Sequence, residues 1–141
     1  MKSILSIILV CTSVLIFMMG CDKSRLDEKK PITSASVAVM FDGSPESPVD
    51  NQTVQEIIPS LARATHQHHT GSPHPRMKYR LRIEQQGIVE HFYFLDDFEP
   101  ISCTLPAQDK VRVSAWMRKN MEKINASSTL DDMCHDATGG T

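Results

Sequence analysis

The stretch from Met77 to Phe98 limits the fold more than any other part of the chain. Met77, Tyr79, Leu81 and Ile83 alternate with Lys78, Arg80, Arg82 and Glu84, and Gln86-Gly87 then separates this run from a second one, Ile88 to Phe98. Alternation at period two on both sides of a glycine-containing dipeptide predicts a β-hairpin. With Gln86 and Gly87 at the centre of the turn, Gln85 faces Ile88, Leu81 faces Phe92 and Tyr79 faces Phe94, so one register gathers the apolar side chains on one face. A slip of one residue would set Leu81 against His91 and turn Phe92 and Phe94 away, so burial fixes the pairing. The same register sets Glu90 beside Ile83 on the apolar face. An unpartnered carboxylate is costly to bury, which predicts that Glu90 lies at the rim of the sheet. Arg80, Arg82, His91 and Tyr93 project from the opposite face together with Arg76. That mixed basic and aromatic surface suits a protein or glycan partner, and it also reads as an ordinary solvated sheet face.

The other elements follow from local patterns. Ser36 to Phe41 is β-branched and apolar on both faces, as in a central strand, and Asp42-Gly43 ends it. Thr53 and Glu56 have capping-box spacing, and Val54, Ile57, Ile58, Leu61, Ala62 and Thr65 form a helical stripe in which Pro59 forces a kink or a fresh start. Ile101 to Leu105, between Pro100 and Pro106, reads as a short edge strand. From Gln108, Val113, Trp116, Met117, Met121 and Ile124 recur at helical spacing. The basic residues of that helix, Lys110, Arg112, Arg118, Lys119 and Lys123, suit either solvent or anionic lipid headgroups. The expected fold is α+β: a small antiparallel sheet of three to four strands with two helices packed on one face, in the order β-α-β-β-(β)-α.

The N-terminus speaks to location. Lys2 precedes an apolar run from Ile4 to Met19 that ends at Gly20-Cys21. A charged start, an apolar core and a small residue before a cut are the layout of a signal peptide. Because a cysteine follows Gly20 at once, the first 22 residues resemble the signal of bacterial lipoproteins. That family usually has Leu three positions before the cysteine, where this chain has Met18. The resemblance implies acylation of the Cys21 thiol and a mature N-terminus at Cys21. Asp22 after the modified cysteine implies, by the enterobacterial pattern, retention in the inner membrane facing the periplasm, with the outer membrane as the other address. The residues alone also fit an uncleaved anchor, since about 16 apolar positions fall just short of the roughly 20 that span a bilayer.

Removing residues 1–20 deletes Lys2 as the only charged side chain, which moves a formal net charge of −2 further negative and argues against nucleic acid as a partner. The expected organisation is a signal peptide over 1–20, a solvated lipidated tether over 21–35, one domain over 36–125 and a tail over 126–141. Cys11 lies in the signal and Cys21 carries the lipid, so Cys103 and Cys134 are left to form a disulfide that pins the tail, worth about 3 to 4 kcal/mol for a loop of roughly 30 residues. A redox pair, or a metal site of Cys103, Cys134 and His135, competes with that reading without the CxxC spacing that marks either chemistry.

His66, His68, His69 and His74 form the densest group of metal-ligand side chains and could share zinc or copper, or could simply line a hydrophilic helix end. GxSxG, HExxH, P-loop and GxGxxG motifs are absent from the sequence, and Asp96, Asp97, Glu99, Asp131 and Asp132 cluster where turns are expected. The expected function is therefore that of a membrane-anchored periplasmic lipoprotein, a binding or assembly module of the cell envelope. It would have no catalytic activity and no cofactor beyond the lipid on Cys21. A periplasmic zinc- or copper-binding protein using the histidines of 66–74 is the alternative.

Overall fold

The computed structural model describes residues 22–67 and 73–136, the last ten of these as backbone only. The chain is α+β. Four strands form one antiparallel sheet in the order β3-β2-β5-β6: β2 is Ser34–Val39, β3 Ser47–Pro48, β5 Met77–Gln85 and β6 Ile88–Leu95. A second, three-stranded sheet has the order β1-β4-β7, with β1 at Asp22–Lys23, β4 at Thr65–His66 and β7 at Cys103–Thr104. The helices are α1 (Asn51–Gln55), α2 (Ile58–Leu61) and α3 (Ala107–Asp136).

The hairpin has the register that burial demands: Gln85 pairs with Ile88, Leu81 with Phe92 and Tyr79 with Phe94. Gln86 and Gly87 both take positive φ, 51° and 80°, the backbone of a turn whose twist matches the flanking strands. Leu81, Ile83, Phe92 and Phe94 are fully buried and join Val37, Val54, Ile57, Ile58, Leu61, Val113, Met117 and Met121 in one core. The helices thus cover one face of the sheet. Trp116 is packed in the same core, and its indole N–H donates to the Thr53 carbonyl at 2.9 Å.

The helix near Pro59 restarts instead of kinking, with the proline in the first turn of α2. Its predecessor α1 is capped differently from the expected Thr53/Glu56 box. The Asp50 carboxylate accepts from the Thr53 backbone N–H at 2.9 Å, and Glu56 ends the helix. The start of α3 is clamped to α2: Asp109 accepts from Ser60 Oγ at 2.9 Å and from both Arg63 Nε and Nη2, and the Arg63 hydrogen bond is the main reason its carboxyl falls to about 2.

The predicted short edge strand exists as β7, at the edge of the second sheet beside β4. Three expectations about the organisation of the chain fail. Residues 126–141 are not a tail through Asp136, because α3 continues to that residue and carries Asp131 and Asp132 within a helix.

The helix also separates the two cysteines. At 1.5 Å per residue, about 40 Å of helix axis lies between Ala107 and Cys134, while the four residues from Cys103 to Ala107 reach at most about 14 Å. A disulfide tolerates no more than about 7 Å between Cα atoms. Cys103 is accordingly a free, buried thiol.

The third failure is the tether. Asp22 and Lys23 pair with His66 and Thr65, Ser24 N–H donates to the Ala64 carbonyl at 2.9 Å, and Leu26 and Ile32 enter the core. A segment whose composition suggests a solvated linker is instead built into the domain.

Candidate functional site

What holds the N-terminal segment is a pair of polar side chains at core-facing positions of the hairpin. Gln85 is 1 % exposed. Its Oε1 accepts from Asp27 N–H, and its Nε2 donates to the carbonyls of Asp27 and Lys30, all at 2.8 Å. Glu90 does not lie at the rim: it is 6 % exposed and has the partners that burial requires. Its Oε2 accepts from Ser24 Oγ at 2.7 Å and from His66 Nε2 at 3.1 Å, and its Oε1 accepts from Arg25 N–H at 2.6 Å. An ionised carboxylate only accepts, so His66 Nε2 must carry its proton. Burial pulls the Glu90 pKa upward, but hydrogen bonds from Arg25 N–H, Ser24 and His66 outweigh it and hold the carboxyl below its ordinary value.

A thiol stands next to this pair. Cys103 lies directly opposite His66 in the β4-β7 register, so carboxylate, imidazole and thiol occur in the order that nucleophilic cysteines use. The electrostatics run the other way. Burial first, and then the negative charge of Glu90, push the Cys103 thiol up to about 11, so it stays protonated at neutral pH and packs as a small apolar side chain. Two units above the ordinary 9.0 means that native Cys103 should alkylate with iodoacetamide at pH 8 about a hundredfold more slowly than an unhindered thiol, and at the ordinary rate after unfolding in urea. Peptide mass spectrometry over time reads both rates. Equal rates would show an activated or accessible thiol.

The face of the four-stranded sheet opposite the helices is left to solvent. Arg80 stands opposite Tyr93, and Arg82 opposite His91, as the sequence places them. The two arginines are already engaged: Arg80 with Glu46 from the loop before β3, and Arg82 with Glu84 at 2.9 Å. Partial burial, together with the nearby Arg80 and Arg82 cations, holds His91 below its ordinary value. Arg76, expected to share this surface, turns instead to the acidic turn and bridges Asp96 and Asp97.

A bulge gives this face an apolar end. The β5-β6 register shifts between Met77 and Tyr79, so Met77 pairs with Leu95 and leaves the side occupied by Tyr79 and Leu81. Met77 then lines an open groove of about 990 Å³ with Met40, Phe41, Pro75, Tyr93 and Ile101. Phe41 is 75 % exposed and has φ 67°, a backbone conformation that costs a bulky residue energy. Periodicity could not find this groove, because the bulge breaks the alternation on which periodicity depends. The signal that could have exposed the N-terminal clamp was present: Gln85 and Glu90 are polar residues at core-facing positions.

Of the four histidines, His66 is committed to Glu90 and His74 lines the groove around Phe41, while His68 and His69 lie outside the described residues. Among the described residues no group of three or more His, Cys, Asp or Glu side chains could hold a metal ion, and no helix is long and apolar enough to cross a membrane. The apolar run 4–19 and Cys21 are also outside the described residues. No family model, curated protein or solved structure matches the chain.

Proposed function

We propose that this chain is a lipoprotein of the bacterial cell envelope, anchored through acylated Cys21 to the inner membrane on its periplasmic side, and that its domain works by binding another envelope protein. The observation that carries the binding role is the solvent-facing side of the four-stranded sheet ending in the groove around Phe41. Exposed Phe41, with half-buried Met40, Met77 and Tyr93 around it at one end of a polar face, supports a docking surface, where a partner would bury the surface that the chain leaves wet. Tyr93 belongs to both the groove and the polar face, with His91 beside it, ring centroids 6.5 Å apart. Arg80 and Arg82, held in place by their ion pairs with Glu46 and Glu84, supply a polar rim.

The test is site-specific photo-crosslinking in the native membrane, with the probe at position 93. A discrete adduct should form in the otherwise unchanged protein. It should fall at least about tenfold in Phe41→Ser, which removes an exposed anchor of the kind that dominates interfaces. Val111, the other large exposed apolar residue among the described ones, lies on α3, and Val111→Ser should leave the adduct intact. Equal adduct in all three proteins would refute binding through the groove.

A further inference from the structure

The built-in N-terminal segment decides how such a protein would sit on its membrane. As a solvated linker, Asp22 to Ser34 would let the domain roam about 45 Å from the anchor at full extension. The fold removes that reach. Asp22, one peptide bond from Cys21, already pairs with His66; Lys23 pairs with Thr65; and Ser24 and Arg25 are fixed by Glu90. The spacing from Cys21 to the first strand is therefore a single Cα–Cα step of about 3.8 Å.

We infer that the domain lies flush on the bilayer, with the surface around Asp22, Lys23, Arg25 and Val89 against the phospholipid headgroups. This inference rests on the proposed acylation of Cys21. These residues line a shallow groove of about 590 Å³ beside the point where the anchor leaves the fold. Lys23 is exposed, and the Arg25 side chain is 67 % exposed beside its 3.6 Å pairing with Glu90, so two cations face outward where anionic headgroups would lie. Asp22 contributes one opposing charge. β1 is an edge strand of its sheet, so the headgroup side of this end is not covered by a further strand. A partner docked on the His91 and Tyr93 side must then itself reach the membrane surface. That describes a membrane protein with a short periplasmic face, and not a partner free in the periplasm.

The experiment uses the full chain, matured in its own membrane, purified with its lipid and placed in phosphatidylethanolamine–phosphatidylglycerol vesicles carrying a nitroxide on the headgroup. The fluorophore sits on His91→Cys in a Cys134→Ser background, since buried Cys103 does not label. The label should be quenched without any added protein. A 14-residue Gly/Ser insertion between Cys21 and Asp22, with a mean span of about 20 Å, should reduce the quenching about threefold. Equal quenching with and without the insertion overturns the flush placement, as does quenching that appears only in native membranes containing other proteins. Flotation with vesicles and the acyl mass of the N-terminal peptide report separately on the anchor. If both are missing, the lipoprotein reading fails, and the orientation fails with it.

Discussion

Replacing Glu90 with alanine is expected to lower the unfolding free energy of the domain by about 3 kcal/mol. The carboxylate is the common acceptor for Ser24 Oγ, Arg25 N–H and His66 Nε2, and its side chain is 5 % exposed. Truncation leaves three buried or half-buried donors without an acceptor, at roughly 1 kcal/mol each. Glu90→Gln retains an acceptor oxygen and should lose about half as much. Urea denaturation of the mature domain reads both values from the shift in midpoint. A loss in Glu90→Ala below about 1 kcal/mol would mean that the N-terminal segment contributes little to the fold. The effect should depend on pH in a defined direction. The Glu90 carboxyl sits below its ordinary 4.5 in the folded protein, so its contribution is fully present above about 4.5 and disappears as pH falls through the folded value. The wild-type and alanine stabilities should therefore converge in acid.

The second large effect concerns the anchor. Cys21→Ser should block lipidation and the processing that follows it, because the thiol is the proposed site of acylation. One acyl chain binds a bilayer only marginally, while the two or three that bacterial lipoproteins carry at this position add about 0.8 kcal/mol for each buried methylene and hold firmly. Without acylation the signal should not be removed, and an unlabelled precursor about 2 kDa heavier should accumulate in the membrane fraction. Metabolic labelling with a fatty-acid analogue and gel mobility check both points. A wild-type protein of mature size without acyl label would show ordinary signal cleavage and a periplasmic domain free of the membrane.

How far the sequence reached depends on the range of the interaction that decides each feature. The hairpin register was legible because period-two alternation and a two-residue turn are local, and because one slip would expose Phe92 and Phe94 together. A break at Pro59 was legible because a proline cannot donate within a helix, and the structure chose a restart over a kink. The core positions of α3, Val113, Trp116, Met117 and Met121, followed from helical spacing. Local rules alone misplaced the cap: Thr53 fits a box, yet Asp50 comes three residues earlier and takes the Thr53 N–H.

The candidate site was legible only in outline. Arg80, Arg82, His91 and Tyr93 share the predicted face, but the apolar groove at its end depends on a bulge at Lys78 and on Phe41 and Ile101, which come from separate loops. The disulfide reading failed because counting cysteines ignores the rigid length of the helix between them.

The sequence alone was enough for the α+β class, the β5-β6 hairpin with its register and the core positions of Leu81, Ile83, Phe92 and Phe94, since these follow from periodicities a few residues long. The fate of Asp22 to Ile32, by contrast, was settled by long-range packing. Charge and a lack of periodicity make that stretch look solvated, yet Gln85 and Glu90, some 58 to 66 residues away along the chain, need buried hydrogen-bond partners, and it supplies them. A polar group that folding removes from water must be satisfied by whatever the fold brings near it, and no local pattern in either segment names the other.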